Sequence, residues 1–240
     1  MPKKNWNSLT EVLNTLNENC NYLILRNFEE LADESYYLEG HDDIDFLCDN
    51  QKKIRRLLDA RRSIYIMPED HFYIKVQGKN VKIGLKYVGD QYYDISWEKE
   101  ILKTRQYHKN GFYVMNEENY FYTLLYHALI QKKVFLEDYK NRLSKMAKRF
   151  GIIANTEEEW LFVLKEYLKK KQLKITYPKE YICPLRIDLI KQLPTELYDD
   201  SIYKKKSLRE WFYWKRIFMK KTSIKIIALI KRGNKKWEKR

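Results

Sequence analysis

The sequence predicts an α+β protein in which a mixed β-sheet with flanking helices is followed by a helical C-terminal segment and a basic amphipathic tail helix. Three observations support this prediction. Runs rich in β-branched and aromatic residues cluster in the first half, apolar residues at helical spacing dominate later, and Lys and Arg crowd the C-terminal end. We therefore expect an α/β domain over 1–112, a helical domain over 113–202 and a basic tail over 203–240.

The composition is that of a folded, reduced protein. The chain has 240 residues, of which 44% are hydrophobic, and only 7 Gly and 5 Pro, which argues against a disordered or fibrous chain. The three cysteines (Cys20, Cys48 and Cys183) form no CxxC pair, which favours a cytosolic compartment. No signal peptide and no uncharged stretch of membrane-spanning length is visible in the sequence.

The first predicted elements alternate between helix and strand. Apolar residues at helical spacing predict a helix over 8–19, and a short apolar run predicts a buried strand over 22–26. Residues 27–40 are polar and acidic, as in a loop or a short helix. A second strand is predicted over 43–48 and a second helix over 51–62.

Strands are predicted to dominate the next part of the chain. Gly78-Lys79-Asn80 is a turn signal between the β-rich runs 72–76 and 81–88. The aromatic run 92–97 is predicted to be a further strand, which gives a mixed sheet of roughly five strands.

Helical patterns follow from about residue 113. Three helices are predicted over 116–132, 136–150 and 156–170. Gly151 is a candidate C-cap for the second of these helices, and Thr156 with Glu159 forms a capping box for the third.

The most informative stretch for chemistry is the acidic segment 40–47. If this segment is a strand, its side chains alternate, so Asp43 and Asp45 share one face while Ile44 and Phe46 pack in the core. Two adjacent carboxylates repel each other, and a divalent cation relieves that repulsion. We therefore predict that Asp43 and Asp45 bind Mg²⁺ or Mn²⁺ for phosphoryl or nucleotidyl transfer. An acidic turn before an ordinary strand is the alternative.

Asp94 is the candidate for a third carboxylate. It lies in the predicted strand 92–97, from which it would bind metal or act as general base; an exposed strand residue is the alternative. His41 lies inside the acidic segment and is a candidate substrate contact, whereas His127 is interpreted as a core residue. No His/Cys grouping occurs, so zinc is not expected.

At these residues the chain resembles a known superfamily. An apolar strand ends in Leu25-Arg26-Asn27, an acidic loop follows, and Gly40 then precedes Asp43-Ile44-Asp45. This order resembles the nucleotidyltransferase superfamily, the fold of DNA polymerase β and of aminoglycoside nucleotidyltransferases. It is most similar to a little-characterised bacterial branch and to LicD-type phosphocholine transferases of surface glycans. The resemblance covers roughly residues 20–130 and includes a helix pattern at Leu124-Leu125 and His127.

The resemblance implies roles for several residues. Asp43, Asp45 and Asp94 would be the catalytic and metal-binding carboxylates. Contacts to the substrate or nucleotide would come from Arg26, Asn27, Gly40 and His41. The superfamily's Gly-Ser pair is replaced here by Arg26-Asn27, and an additional residue lies before Asp43. The Arg26 guanidinium is suited to a phosphate, and a salt bridge to a neighbouring acid is its alternative role.

The tail over 203–240 carries most of the net charge. It has 15 Lys/Arg and two Asp/Glu, whereas the remaining 202 residues have 32 basic and 31 acidic residues. A capping box at Ser207 and Glu210 predicts the start of a helix in which apolar residues mix with Lys and Arg. Such a helix is typical of contact with an anionic membrane surface. Docking on the protein body and nucleic-acid binding are the alternatives.

Together these features predict a cytoplasmic enzyme that is peripheral at the inner membrane face. It would transfer a phosphate-linked group from a nucleotide donor, an NTP or a CDP-linked compound, to a hydroxyl acceptor. The resemblance and the tail favour a glycan or lipid-linked glycan as acceptor. Two alternatives remain: a nucleotidyltransferase that modifies a protein, RNA or small molecule, and a degenerate nucleotidyltransferase fold that binds without catalysis.

Overall fold

The computed structural model describes residues 2–32, 34–40, 43–62, 71–178 and 183–203. Over these residues the protein is a mixed α/β structure with a seven-stranded mixed sheet and helices on both faces. The predicted substrate contact His41 and the predicted tail helix from Ser207 onward lie outside the described residues. No helix in the described ranges is both long and apolar enough to cross a membrane.

The sheet combines parallel and antiparallel neighbours. In chain order its strands are β1 (Asn5–Trp6), β2 (Tyr22–Ile24), β3 (Ile44–Cys48), β4 (His71–Val76), β5 (Lys79–Tyr87), β6 (Gln106–His108) and β7 (Phe112–Val114). Their spatial order is β1-β4-β5-β3-β2-β7-β6. The pairs β1–β4, β5–β3 and β2–β7 are parallel, and the other three are antiparallel. The predicted mixed sheet is confirmed, with β3 at its centre, but it has seven strands where roughly five were predicted.

Eight α-helices accompany the sheet among the described residues. They are α1 (Leu9–Asn19), α2 (Glu34–Leu38), α3 (Gln51–Leu57), α4 (Ile95–Lys103), α5 (Glu117–Ile130), α6 (Glu137–Ala147), α7 (Glu157–Lys171) and α8 (Ile187–Ile190). Short 3₁₀ helices occur at Phe28–Ala32, Lys148–Phe150, Thr195–Leu197 and Asp200–Tyr203. The predicted capping box at Thr156 and Glu159 is confirmed, as is the left-handed C-cap at Gly151.

The sheet separates two hydrophobic clusters. On one face, side chains of α1, α2 and α3 pack against the alternate strand residues Ile24, Ile44 and Phe46. On the other face, helices α4 to α8 pack against Leu23 and Leu47. The sheet and the later helices thus share a core, and the residues up to Ile202 form one compact unit. The boundary predicted between residues 112 and 113 falls within β7.

The strand predicted over 92–97 is wrong. The chain instead turns after β5, and α4 begins at Ile95 with Asp94 as its N-cap. The Asp94 carboxylate accepts a hydrogen bond from the Ser96 N–H at 2.8 Å, which satisfies a free donor of the first helical turn. The helix predicted over 51–62 is also shorter than expected, because α3 ends at Leu57.

A buried carboxyl pair fixes the turn that leads into α4. Glu98 accepts hydrogen bonds from the N–H groups of Gly89 and Tyr93, and Asp90 accepts from those of Tyr87 and Tyr92. Both acids are buried. Burial, and then the charge of Asp90, raises the pKa of Glu98 to about 9, and burial also raises the pKa of Asp90. The pair is therefore held with at least one carboxyl protonated at neutral pH.

This arrangement predicts a fold that loses stability as the pH rises. The pKa of Glu98 in the folded protein lies above its ordinary value of 4.5, so the folded state binds the proton more tightly than the unfolded state. The stability that protonated Glu98 contributes is fully present below about pH 4.5 and is lost as the pH rises towards 9. The loss is on the order of 1 kcal/mol per pH unit. Urea unfolding between pH 6 and pH 9 measures this slope.

Glu98→Gln is the matched variant for this test, because its amide stays neutral at every pH. We expect lower stability at pH 6 but a flatter decline towards pH 9. If the unfolding free energy of the wild-type protein does not change over this pH range, the buried Asp90–Glu98 pair does not hold a proton at neutral pH.

Candidate functional site

The two predicted carboxylates lie at the start of the central strand β3. Ile44 and Phe46 are buried in the cluster formed with α1 to α3, whereas Leu47 belongs to the cluster on the opposite face. Asp45 alternates with Ile44 and Phe46 and therefore lies on the face of Leu47. Asp43 directly precedes the strand and continues that alternation. The predicted placement of Asp43 and Asp45 on one face agrees with the structure.

The parallel neighbour β5 places lysines beside both carboxylates. Asp45 is paired in register with Gly84, so Lys82 and Lys86 flank that position on the same face. The Lys82 Nζ lies 3.3 Å from Asp43 Oδ2, and the Lys86 Nζ lies 3.9 Å from Asp45 Oδ1. Each acid thus faces a cation supplied by the adjacent strand.

Gly84 is required by the position of the Asp45 carboxylate. A Cβ atom at residue 84 would lie 2.1 Å from Asp45 Oδ1, far inside van der Waals contact. The carboxylate therefore occupies the space in which a side chain of β5 would lie. No third carboxylate fits at this position without a shift of Asp45.

Arg26 provides the third cation of the site. Its Nη2 lies 2.5 Å from Asp45 Oδ2, and its Nη1 donates to the Tyr92 hydroxyl at 3.1 Å. The Tyr92 hydroxyl lies 3.2 Å from His127 Nδ1, which lies 3.0 Å from Gln131 Oε1. The alternative role considered for Arg26, a salt bridge to a neighbouring acid, is the one that the structure shows.

Burial shapes the charges in this network. Burial lowers the pKa of the Lys86 ammonium, and the charge of Asp45 opposes that effect. Burial, and then the charge of Arg26, lowers the pKa of His127 well below its ordinary value, so its imidazole is neutral at pH 7. Asp45 itself is only 7% exposed. A buried carboxylate needs compensation by cations, and Arg26 and Lys86 supply it.

Tyr37 links the two ends of the described part of segment 27–40, which contains the 3₁₀ helix Phe28–Ala32 and α2. Its hydroxyl donates to the carbonyl of Asn27, and its own carbonyl accepts from the Gly40 N–H at 3.1 Å. Asn27 and Gly40 both have positive φ angles, of 56° and 78°. The Asn27 side-chain oxygen also accepts from Arg142 Nη1 at 3.1 Å. Asn27 and Gly40, two of the predicted substrate contacts, therefore determine the backbone path at the two ends of this segment. Their role in substrate binding stays a prediction.

Asp94 does not join this group as the sequence predicted. Its Oδ1 accepts from the Ser96 N–H and hydroxyl, and its Oδ2 accepts from the Lys174 N–H at 3.0 Å. One oxygen of Asp94 therefore caps α4, and the other binds the backbone at Lys174. In the described part of the chain, no group of three or more His, Cys, Asp or Glu side chains is placed to hold a metal. The strand that was predicted to carry Asp94 is absent. A role of Asp94 as a metal ligand or general base stays a prediction.

Among the described residues, no third metal-ligating side chain therefore lies with Asp43 and Asp45. Asp43 and Asp45 each have a protein cation within 4 Å, and the position facing Asp45 on β5 is a glycine. Among the described side chains that form these ion pairs, Arg26, Lys82 and Lys86 are positive and the two acids are negative, which gives one net positive charge. A divalent cation would add to that charge, whereas an anion would offset it.

The sequence did not predict that lysines of β5 lie beside Asp43 and Asp45. Lys82, Gly84 and Lys86 alternate with the apolar residues Ile83 and Leu85, a pattern that puts all three polar positions on one face. That signal was present in the predicted strand 81–88. It could not be interpreted without knowing that β5 lies beside β3.

Comparisons with known proteins add no family to this description. No protein-family model matches the chain, and neither curated proteins nor solved structures give a match. A mixed sheet with helices on both faces is compatible with many activities. The function must therefore be argued from the chemistry of this site.

The close approach of Asp45 to Gly84 predicts a strong coupling between the two positions. Gly84→Ala should lower the free energy of unfolding by about 1–3 kcal/mol, because the added methyl group displaces the carboxylate. In an Asp45→Ala background the same change should cost less than half as much, since the clashing oxygen is gone. Urea unfolding of the four proteins measures the coupling, and equal costs in both backgrounds would refute this explanation.

The cap role of Asp94 predicts an effect on stability alone. Asp94→Ala should lower the unfolding free energy by about 1 kcal/mol, because the first turn of α4 loses its cap. The affinity for a ligand at the Asp43–Asp45 site should remain within twofold of wild type. A large loss of affinity in a variant of nearly native stability would restore Asp94 to the site.

Proposed function

We propose that the protein binds a phosphate-bearing ligand, a nucleotide, at the group formed by Arg26, Asp43, Asp45, Lys82 and Lys86. The observation that carries this proposal is the pairing of both carboxylates with protein cations, which leaves one net positive charge among the described side chains of these pairs. Guanidinium and ammonium groups are the side chains that bind phosphate, and a phosphate would offset the excess charge. In this proposal the lysines of β5 contribute the positive charge that a divalent metal would otherwise supply.

The resemblance to nucleotidyltransferases supports a nucleotide as the source of the phosphate. Two segments carry the resemblance: Leu25-Arg26-Asn27 directly follows β2, and Asp43-Ile44-Asp45 begins just before β3. They are neighbours, because the Leu25 N–H donates to the Asp45 carbonyl at 2.8 Å. The proposal is therefore a nucleotidyltransferase-like fold that binds a nucleotide without metal-dependent catalysis.

Metal-dependent transfer is the second candidate, and one observation favours it. The pair between Lys82 and Asp43 is partly exposed, at 40% and 20% of the two side chains. Such pairs contribute little to stability, so a Mg²⁺ or Mn²⁺ ion carried in by nucleotide phosphates could displace Lys82. Asp43 and Asp45 would then hold the ion, whose chemistry is to polarise the phosphoryl group.

The acceptor of such a reaction also stays a proposal. A glycan or lipid-linked hydroxyl follows from the LicD resemblance and from the basic tail over 203–240, which would contact an anionic membrane. A hydroxyl of a protein, an RNA or a small molecule is the alternative acceptor.

Calorimetric titration with ATP, CTP and CDP-choline, each with and without Mn²⁺, tests the proposal. We expect one nucleotide to bind in the absence of metal and Mn²⁺ to leave its Kd nearly unchanged. Lys82→Met should weaken binding about tenfold, because one charge-assisted contact is lost. Lys79→Met is the matched control, since Lys79 is an exposed lysine on the same strand and should leave the Kd unchanged.

The other results separate the candidates. Binding that requires Mn²⁺ and is lost in Asp43→Asn/Asp45→Asn would establish the metal-dependent site instead. Binding that is insensitive to Lys82→Met would place the nucleotide elsewhere, for example on the basic tail. Absence of binding under every condition would overturn both candidates.

A further inference from the structure

A cleft separate from the Asp43–Asp45 group lies on the side of the sheet where β6 and β7 form its edge. Its lining comes from the 3₁₀ helix Phe28–Ala32, from β6 and β7, and from α5 and α6 with the turn that follows α6. The volume of this cleft is about 450 Å³. Sites for small organic molecules typically have volumes of about 300–1,000 Å³, with apolar walls and a few polar groups.

One wall of the cleft is aromatic. Phe28 contacts Tyr120 and His108, with ring centroids 5.0 Å and 5.6 Å apart. All three rings are only partly buried, and all three line the cleft. The thioether side chains of Met115 and Met146 complete the apolar lining. Such a surface favours a flat ring, because stacked rings and sulfur–ring contacts add to the burial of apolar area.

The opposite side of the cleft is cationic. Arg142, Lys145 and Arg149 follow one another at spacings of three and four residues, which places them on one side of α6 and the following turn. Two carboxylates, Glu29 and Glu117, also line the cleft. Arg142 donates to the Tyr120 hydroxyl at 2.7 Å and lies 4.0 Å from Glu29, and Arg149 forms an ion pair with Glu117. These contacts fix the two guanidinium groups at the cleft.

Lys145 differs from its two neighbours. Its side chain is exposed, and in the described part of the chain it makes no hydrogen bond and no ion pair. The Lys145 ammonium therefore lies at the mouth of the cleft, and no described acidic side chain pairs with it. A negative group on a ligand would meet Lys145 directly, with Arg142 close by.

We propose that this cleft binds a small molecule that has a flat aromatic ring and one negatively charged group. The ring lies against Phe28, Tyr120 and His108, and the negative group pairs with Lys145. The ring contact and the charge contact can be tested separately, because the first is apolar and the second is electrostatic. The proposal shares no charged residue with the Asp43–Asp45 group, so either can fail without the other.

The methionines provide a direct readout for a binding experiment. The chain has five methionines, and Met115 and Met146 line the cleft. Full-length protein labelled with ¹³C at the methionine methyl groups is titrated with indole-3-acetate, followed by NMR. Indole-3-acetamide is the matched probe, since it has the same ring and no charge. We expect the acetate to shift the Met115 and Met146 resonances selectively and to bind at least fivefold more tightly than the amide.

Two variants and one control locate the contacts. Phe28→Leu, which keeps apolar volume but removes the ring, should weaken both probes. Lys145→Gln should abolish the preference for the acetate and leave the amide unchanged. Lys148→Gln removes a neighbouring exposed lysine that does not line the cleft, and it should change neither probe.

Three results would overturn the proposal. The first is that neither Met115 nor Met146 shifts at millimolar probe. The second is equal affinity for the acetate and the amide. The third is binding that Phe28→Leu leaves intact. Because Lys145 is exposed and Phe28→Leu is conservative, loss of the fold does not explain a negative result.

Discussion

The buried charge of Asp45 constrains the centre of the sheet. A buried carboxylate is costly unless cations compensate it, and here Arg26, just beyond β2, and Lys86, on β5, approach it from both sides. The two neighbours of β3 thus each supply one cation to the central strand. A slip of β5 by one residue would move Lys86 to the opposite face and leave the carboxylate poorly compensated. Charge pairing and strand register therefore depend on each other.

The same constraint limits which side chains can surround the two acids. Because the Asp45 carboxylate covers Gly84, β5 cannot provide a third acid at the position nearest the pair. The acids of the site are offset by protein cations, and Lys82 extends that cationic strip to Asp43. Electrostatics therefore favours an anionic ligand over a divalent ion that arrives without one. Under the proposed function, these paired charges would distinguish the site from a metal centre, although both begin with two carboxylates at the start of one strand.

Local signals predicted most of the framework, and non-local pairing limited the rest. Caps at Thr156 and Gly151, and the alternation at Asp43, Ile44 and Asp45, could be recognised from the sequence because each depends on neighbours along the chain. The run 92–97 was misassigned because its aromatic residues resemble a strand, while the N-cap at Asp94 and the buried Trp97 belong to a helix. The sequence could not show that β5, and not this run, lies beside β3, so the paired lysines were missed.

The hydrogen-bond network behind Arg26 indicates how a ligand would engage the site. Arg26 is held by Asp45 and Tyr92, and Tyr92 contacts the neutral His127, so the guanidinium is fixed before any ligand arrives. A guanidinium that is already fixed lowers the entropy cost of ligand binding. Because Arg26 is buried, however, a ligand at the surface would make little direct contact with it. Lys82 is 40% exposed and its pair with Asp43 is weak, so it can turn towards a phosphate at small cost. The first contact of a ligand is therefore expected at Lys82, with Arg26 and Lys86 supplying a fixed positive potential behind it.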